Sequence, residues 1–262
     1  MTRATLAAWL RNRAEDLVLA FALLTRLPMP RLTLRPLVQL PDYVWAFPIV
    51  GFVVGHIAAL TYLLAHEEGA LGASLSSLTA VAASLLATGA LHEDGLADFA
   101  DGIGGGRTAE RKLEIMRDSS IGSYGVVALF LVLGARWSAV ASIEDVHAAA
   151  GALVMAHTVP RGLLAVVPEF WRPARTDGLA AGAAGGNWPS ALVAVALSLA
   201  VPLLLNTGWL ALFVPLAAAA GIFGVATLAA RQVGGYTGDV FGAAEQVAEV
   251  FVLAVCTSAL AR

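Results

Sequence analysis

Charge is scarce in this chain. Of its 262 residues only 13% are Asp, Glu, Lys or Arg, about half of the roughly 25% usual in a soluble domain. Hydrophobic residues make up 58% and the mean hydropathy is +0.77. So little polar surface cannot cover a globule in water, which excludes an ordinary soluble domain and makes lipid the solvent for much of the chain. A net charge of −3 gives no reason to expect a nucleic-acid partner. The single cysteine, Cys256, excludes an internal disulfide; it lies in an apolar run and reads as packing. The N-terminus has Arg3, Arg11 and Arg13 but no clean apolar core ending in a small-residue cleavage site, so a removable signal peptide is not expected. No G-x-x-x-x-G-K-[ST] run occurs, nor a G-x-S-x-G elbow, which argues against a P-loop NTPase and an α/β-hydrolase nucleophile.

What is present is a series of apolar stretches. A spanning helix needs about 20 mostly apolar residues, and the windows 43–65, 71–93, 123–142, 147–168, 188–206, 208–230 and 242–260 qualify. The expected architecture is all-α: a polytopic integral membrane helical bundle of about seven transmembrane helices. Residues 1–262 read as one integral membrane domain. Residues 1–36 form an N-terminal surface helix and link, and 37–262 the transmembrane catalytic bundle. Arg11, Arg13, Glu15 and Asp16 make the stretch 5–27 an amphipathic helix, followed by the proline-broken link "RLPMPRLTLRP" (26–36).

Basic residues set the orientation, because positive charge favours the cytoplasmic side. With the N-terminus inside, Arg3, Arg11, Arg13, Arg26, Arg31, Arg35, Arg107, Arg111, Lys112, Arg117, Arg172, Arg175 and Arg231 all fall on inner segments. The outer loops "HEEG" (66–69), "IEDVH" (143–147) and "NTG" (206–208) carry no Lys or Arg, and only Arg262 falls outside. Two basic residues, Arg136 and Arg161, sit at membrane depth, where charge is costly and commonly functional. For Arg136 the alternative is a pair with Glu144 or Asp145 near the outer end. The chemically rich loops are all inner ones, and the outer halves of the spans are nearly all Ala, Leu and Val, which argues against a transporter.

The densest chemistry is "HEDGLADFADGIGGG" (92–106). On a helix Asp94, Asp98 and Asp101 fall at i, i+4 and i+7 and share a face. Three like charges in a row, continuing the apolar span 71–93, need compensation, and a divalent cation is the simplest. Carboxylates without cysteine suit Mg²⁺, Mn²⁺ or Ca²⁺ rather than zinc; the other reading is a structural acidic cap. Glu93 faces away from Asp94, as a supporting group of the metal site or a surface residue. His92 is either a base or phosphate contact, or a hydrogen-bonded structural residue. The glycines 102–106 and then Arg107, Arg111, Lys112 and Arg117 are suited to phosphate, with a flexible positive-inside loop as the alternative. Carboxylates for a cation followed by groups for phosphate describe a phosphoryl-transfer site. "GGYTGDVFGAAEQ" (234–246) adds Thr237, Asp239 and Glu245 on the same side, to hold substrate or support the site, or simply as a turn. Glu245 and Glu249 enter the last apolar span. Arg26 either closes the site or meets lipid head groups.

"DFADG" (98–102) fits the opening D-x-x-D-G of the CDP-alcohol phosphotransferases, but the A-R expected two residues later is missing, and only Asp118 stands where two further aspartates belong. Read in order, "LLTRLPMP" (23–30), "FPIVGFVVG" (47–55), "HEDGLADFADGIGGG" (92–106), "ERKLEIMRDSSIGSYGVVAL" (110–129) and "GGYTGDVFGAAEQ" (234–246) resemble the cobalamin synthase family through nearly the whole chain; the stretch 168–190 is a loose Gly/Ala-rich connection without a strong motif. The resemblance implies a Mg²⁺-dependent multi-pass enzyme of the bacterial inner membrane, its active site facing the cytoplasm. Its expected substrates are adenosylcobinamide-GDP and α-ribazole or α-ribazole 5′-phosphate; its products are adenosylcobalamin or its 5′-phosphate, and GMP. The reading of the residues fits that reaction, with Mg²⁺ on Asp94, Asp98 and Asp101, Glu93 alongside, and phosphate on Arg107, Arg111, Lys112 and Arg117. Asp118 or a cluster acid would accept the proton of the attacking hydroxyl; Asp118 could equally be a helix cap or an ion pair with Arg117. A phospholipid-making CDP-alcohol phosphotransferase and a Mg²⁺-linked transporter are the competing readings. The oligomeric state is open, a homo-oligomer included.

Overall fold

The computed structural model describes residues 3–30, 39–69, 71–205 and 207–260. Arg31, Arg35, Asn206, Arg262 and most of the 26–36 link lie outside them. The described chain is helical: α1 Arg3–Leu24, α2 Leu40–Tyr43, α3 Phe47–Leu63, α4 Ala73–Thr88, α5 Leu91–Gly105, α6 Ala109–Ile115, α7 Ser123–Ala141, α8 Val146–Leu163, α9 Val167–Phe170, α10 Trp188–Leu204, α11 Leu210–Val233 and α12 Gly238–Leu260.

The protein is a multi-pass helical membrane protein, expected to have about seven spans, of which the following can be assigned by length and composition. Five segments are long and apolar enough to cross by themselves: 40–67, 123–141, 146–170, 210–233 and 238–259. The fourth helix has 16 residues and α10 has 17. At about 1.5 Å per residue neither covers the roughly 30 Å hydrocarbon core unaided. If α4 and α5 count as one broken span the total is six.

The expected span 71–93 is cut short by its own sequence. Gly89 and Ala90 both adopt left-handed backbone, φ +67° and +57°, and the chain bends by 90° between α4 and α5. Ala90 is the only non-glycine with positive φ among the described residues, a conformation that costs an L-residue roughly 1–2 kcal/mol. The Arg26 main chain donates to the Ala87 carbonyl at 2.8 Å, and its side chain lies across Gly89 where a Cβ would stand. The acid-rich stretch is therefore not the continuation of a span. It is a separate helix, α5, turned crosswise to α4.

The eighth helix is the central post; every residue from Ala152 to Leu163 is buried. Small residues let its neighbours approach, as in membrane helix pairs generally. A Cβ on Gly55 of α3 would stand 2.8 Å from Val154 Cα, and one on Gly221 of α11 would stand 2.9 Å from Ala248 Cα in α12. Side chains such as Phe130, Leu131, Leu192, Leu203, Leu204, Leu212 and Leu216 face outward, where lipid replaces a protein partner. The acids Glu15 and Asp16 of α1 do not form a solvated face. Both are buried; Asp16 accepts from Trp45 Nε1 at 3.0 Å and pairs with Arg13 at 3.1 Å. Cys256 is a free, buried core residue.

The crosswise α5 packs on α12 through glycines. A Cβ on Gly242 would lie 2.9 Å from the His92 carbonyl and 3.0 Å from Gly95 Cα; one on Gly95 would lie 3.2 Å from Asp239 Cα. Gly242→Val should lower the thermal midpoint in detergent by the equivalent of about 1–3 kcal/mol. Gly224→Val, where a Cβ meets nothing within 4 Å, should leave the midpoint near the parental value.

Candidate active site

Two neighbouring residues of α5 turn inward and do not join the acidic face. Glu93 Oε1 accepts from Arg136 of α7 at 2.8 Å, and His92 Nδ1 lies 3.3 Å from Arg161 of α8 and 3.7 Å from Glu245 of α12. Two i,i+4 pairs face one another here: His157 and Arg161 on α8, Glu245 and Glu249 on α12. His157 meets Glu249 at 2.5 Å; Arg161 meets Glu249 at 2.8 Å and also Glu245. Arg136 closes the network on Glu249 at 2.9 Å, on Gln246 at 2.9 Å and on Ser84 of α4 at 3.2 Å. Glu245 and Glu249 are 0% exposed and both arginines 2%.

This network bears on the readings of four residues. Arg136 pairs with Glu93 and Glu249, not Glu144 or Asp145. Glu93, expected beside the cation, is held by Arg136, and Glu245, expected at the substrate, is held by Arg161. His92 is a buried link between α5 and the core. The reason is common to all four: a charge taken out of water requires an opposite charge and hydrogen bonds.

The acidic face lies on the other side of α5. Asp94 is exposed, Asp98 half-buried and Asp101 buried. Both Asp101 oxygens are engaged by the start of α7, accepting from Gly122 N at 2.7 Å and Gly125 N at 2.9 Å, so it caps that helix. The glycine crossing brings Asp239 into the group. Desolvation, then the negative charges of Asp94, Asp239 and Asp101, push the Asp98 carboxyl up to about 6. Asp239 accepts from Thr237 Oγ1 at 3.0 Å and meets Arg175 at 3.5 Å. Arg175 is the cation of this cluster and was missed as a site residue, because the connection that carries it has no motif.

The glycine run 102–106 is the end of α5, not an anion-binding loop. Its missing side chains make room for packing: Met116 Cγ would lie 2.5 Å from a Cβ on Gly102, and the Tyr124 ring 2.5 Å from one on Gly104. The basic run is dispersed. Lys112 is buried against Gln232. Arg111 pairs with Glu114 at 2.9 Å, and Arg117 forks onto Asp177 at 2.6 and 2.8 Å. Arg107 is exposed. Asp118 is exposed and accepts from the Ser120 main chain at 2.9 Å. That bond holds its carboxyl below the usual range, which makes it a turn cap and a poor base.

Two spaces meet at Asp94. One is an apolar cavity of about 210 Å³ that reaches Asp94 and Asp239. The other is wider, about 600 Å³, lined by Arg26, Thr25, Thr88, Glu93 and Asp94.

Removing one partner of a buried pair strands the other. Arg161→Leu should cost about 3–5 kcal/mol of stability, whereas Arg117→Ala, in an exposed pair, should cost under about 1 kcal/mol. Chemical unfolding in detergent separates the two.

A family model described as Cobalamin-5-phosphate synthase matches residues 16–257. The chain is 43% identical over 250 residues to a protein of Bradyrhizobium diazoefficiens named adenosylcobinamide-GDP ribazoletransferase, covering 95% of each chain. It is 42% identical over 252 residues to the protein of that name from Mesorhizobium japonicum, again covering 95% of each. With the one from Sinorhizobium medicae the identity is 39% over 262 residues, covering 96% of this chain and 99% of that one. No solved structure matches.

Proposed function

The chain belongs to the cobalamin-5-phosphate synthase family, and from that premise we propose that it transfers the phosphocobinamide moiety of adenosylcobinamide-GDP to α-ribazole or its 5′-phosphate, releasing GMP. The supporting observation is the acidic group of Asp94, Asp98 and Asp239, of which Asp94 borders both cavities and Asp239 the smaller one, with Arg175 as the cation beside Asp239. A ribazole hydroxyl attacks the phosphorus nearer cobinamide. The bond from that phosphorus to the GMP oxygen breaks, and GMP leaves with the electron pair.

The donor set has the chemistry of a hard-cation site, carboxylate oxygens, with the Asp98 carboxyl raised to about 6 by desolvation and then by its acidic neighbours. The tighter group of ligand atoms, His157, Glu245 and Glu249, all within 4.8 Å of one another, is already neutralised by Arg136 and Arg161. Asp94, Asp98 and Asp239 would hold Mg²⁺; Asp101, with both oxygens on α7, supports them from behind. Bound there, Mg²⁺ supplies charge neutralisation on the pyrophosphate. Arg175 and Arg107 are the basic groups we assign to phosphate, with Arg26 at the wider cavity. A cluster carboxylate, not Asp118, takes the proton of the attacking hydroxyl.

The site lies at the end of the bundle that carries Arg107, Arg111, Lys112, Arg117, Arg172, Arg175 and Arg231, while the described loops at the other end lack Lys and Arg. By the positive-inside rule that end faces the cytoplasm, and the membrane is the bacterial inner membrane.

The test is GMP release by the purified protein, with and without α-ribazole and Mg²⁺. Turnover should require both. Asp98→Asn should abolish it while the protein still folds, and without Mg²⁺ the variant should be at least as stable as the parent, since a like-charge contact is gone. The Mg²⁺-induced rise in thermal midpoint, worth about 2.7 kcal/mol at a hundredfold excess over Kd, should shrink in the variant. Parental turnover and an unchanged Mg²⁺ shift in Asp98→Asn would remove this face from the metal site.

A further inference from the structure

The connection 168–190 carries no motif, yet it builds a wall. Leu179, Ala180, Ala183, Gly186 and Asn187 line the 210 Å³ cavity, which α1, α2, α3, α5, α12 and the turn at Leu164 and Ala165 complete. We infer that this cavity seats the aromatic base of the acceptor nucleoside, selecting it by shape and apolarity, while the donor occupies the wider space on the other side of Asp94. The inference rests on the reading of the reaction given above.

Size is the first argument. Whole small-molecule ligands usually take about 300–1,000 Å³; this cavity is smaller and admits one fused ring system, not a nucleotide. Chemistry is the second. Leu24, Val44, Phe47, Leu164, Ala180 and Ala183 present only hydrocarbon. The polar side chains that reach it are His92, Asn187, Asp94 and Asp239. His92 is tied to Arg161. Asn187 Oδ1 accepts from Ser190 N at 3.2 Å, and its Nδ2 lies 3.4 Å from Asp42 Oδ1. Neither is free to read a base edge. Guanine would find acceptors only in Asp94 and Asp239, and its O6 and N7 would be stripped of water with no free side-chain donor to replace it. A dimethylbenzimidazole has almost nothing to strip. Asp94 and Asp239 are the carboxylates of the lining, and we assign the ribose and its reacting hydroxyl to them.

Position is the third argument. Asp94 borders both spaces, so an acceptor in one and a donor in the other both reach it, as displacement at phosphorus requires of its two partners. The wider space carries Arg26 and Thr25, groups suited to a phosphorylated donor.

The experiment narrows the cavity with Ala180→Leu and, more gently, Ala180→Val. KM for α-ribazole should rise about tenfold or more in Ala180→Leu, the effect of a misplaced methylene in an apolar pocket. KM for adenosylcobinamide-GDP should stay within about twofold. Benzimidazole riboside, lacking the two methyl groups, should be penalised less than α-ribazole. Independently of turnover, free 5,6-dimethylbenzimidazole should raise the thermal midpoint of the parent and not of Ala180→Leu; guanosine should raise neither. A rise confined to the donor's KM would show that the cavity holds the donor and overturn the inference. So would unchanged KM values for both substrates, or no stabilisation of the parent by dimethylbenzimidazole. If the parent releases no GMP but dimethylbenzimidazole still stabilises it and not Ala180→Leu, the seat stands and the assigned reaction falls.

Discussion

A carboxylate removed from water must meet a cation, and in this protein that requirement fixes the position of the helix that matters. Glu93 of α5, Glu245 and Glu249 of α12, Arg136 of α7 and Arg161 of α8 are all buried in one network. Each helix contributes a charge that is untenable alone, so the elements assemble in one arrangement or strand a charge at a cost of several kcal/mol. The same network takes His92 and Glu93 to one side of α5 and leaves Asp94 and Asp98 on the other. Burial of one face produces exposure of the other, because neighbouring residues on a helix point in different directions.

Two further constraints act on α5. The left-handed Gly89–Ala90 pair turns it crosswise to α4, and the Gly95–Gly242 crossing presses it against α12, so that Asp239 joins its acids. Asp101 then ties α5 to the first turn of α7 through two main-chain N–H groups. A concentration of negative charge is thus held on a rigid frame, where we propose a hard cation binds. That is the form a phosphoryl-transfer site takes when positioning and charge neutralisation carry the catalysis.

Much of this was legible in the sequence. Hydropathy alone gave the membrane class, and the i, i+4, i+7 spacing found the shared face of Asp94, Asp98 and Asp101. Arg136, Arg161, Glu245 and Glu249 were recognised as charges at depth, but not as partners, since sequence gives depth and not which helices touch. The break at Gly89–Ala90 was invisible because nothing in apolar composition marks it, and hydropathy ran the span straight on into the acids. The glycines of 102–106 looked like a phosphate loop; only the neighbouring Met116 and Tyr124 show that they make room for side chains. The connection 168–190 looked empty because small apolar residues that wall a cavity have the composition of a linker, and Arg175 was hidden within it.

The central claim is that the buried network positions α5, and a double-mutant cycle on Glu93 and Arg136 tests it most directly. GMP release would be measured for the parent, Glu93→Gln, Arg136→Met and the double variant. Arg136 lines neither space, and Glu93, which borders the wider one, is held by Arg136. The account predicts that each single variant loses activity and that the double variant loses less than the sum, with a coupling of about 0.5–3 kcal/mol. Strictly additive losses, or parental activity in Glu93→Gln, would contradict it.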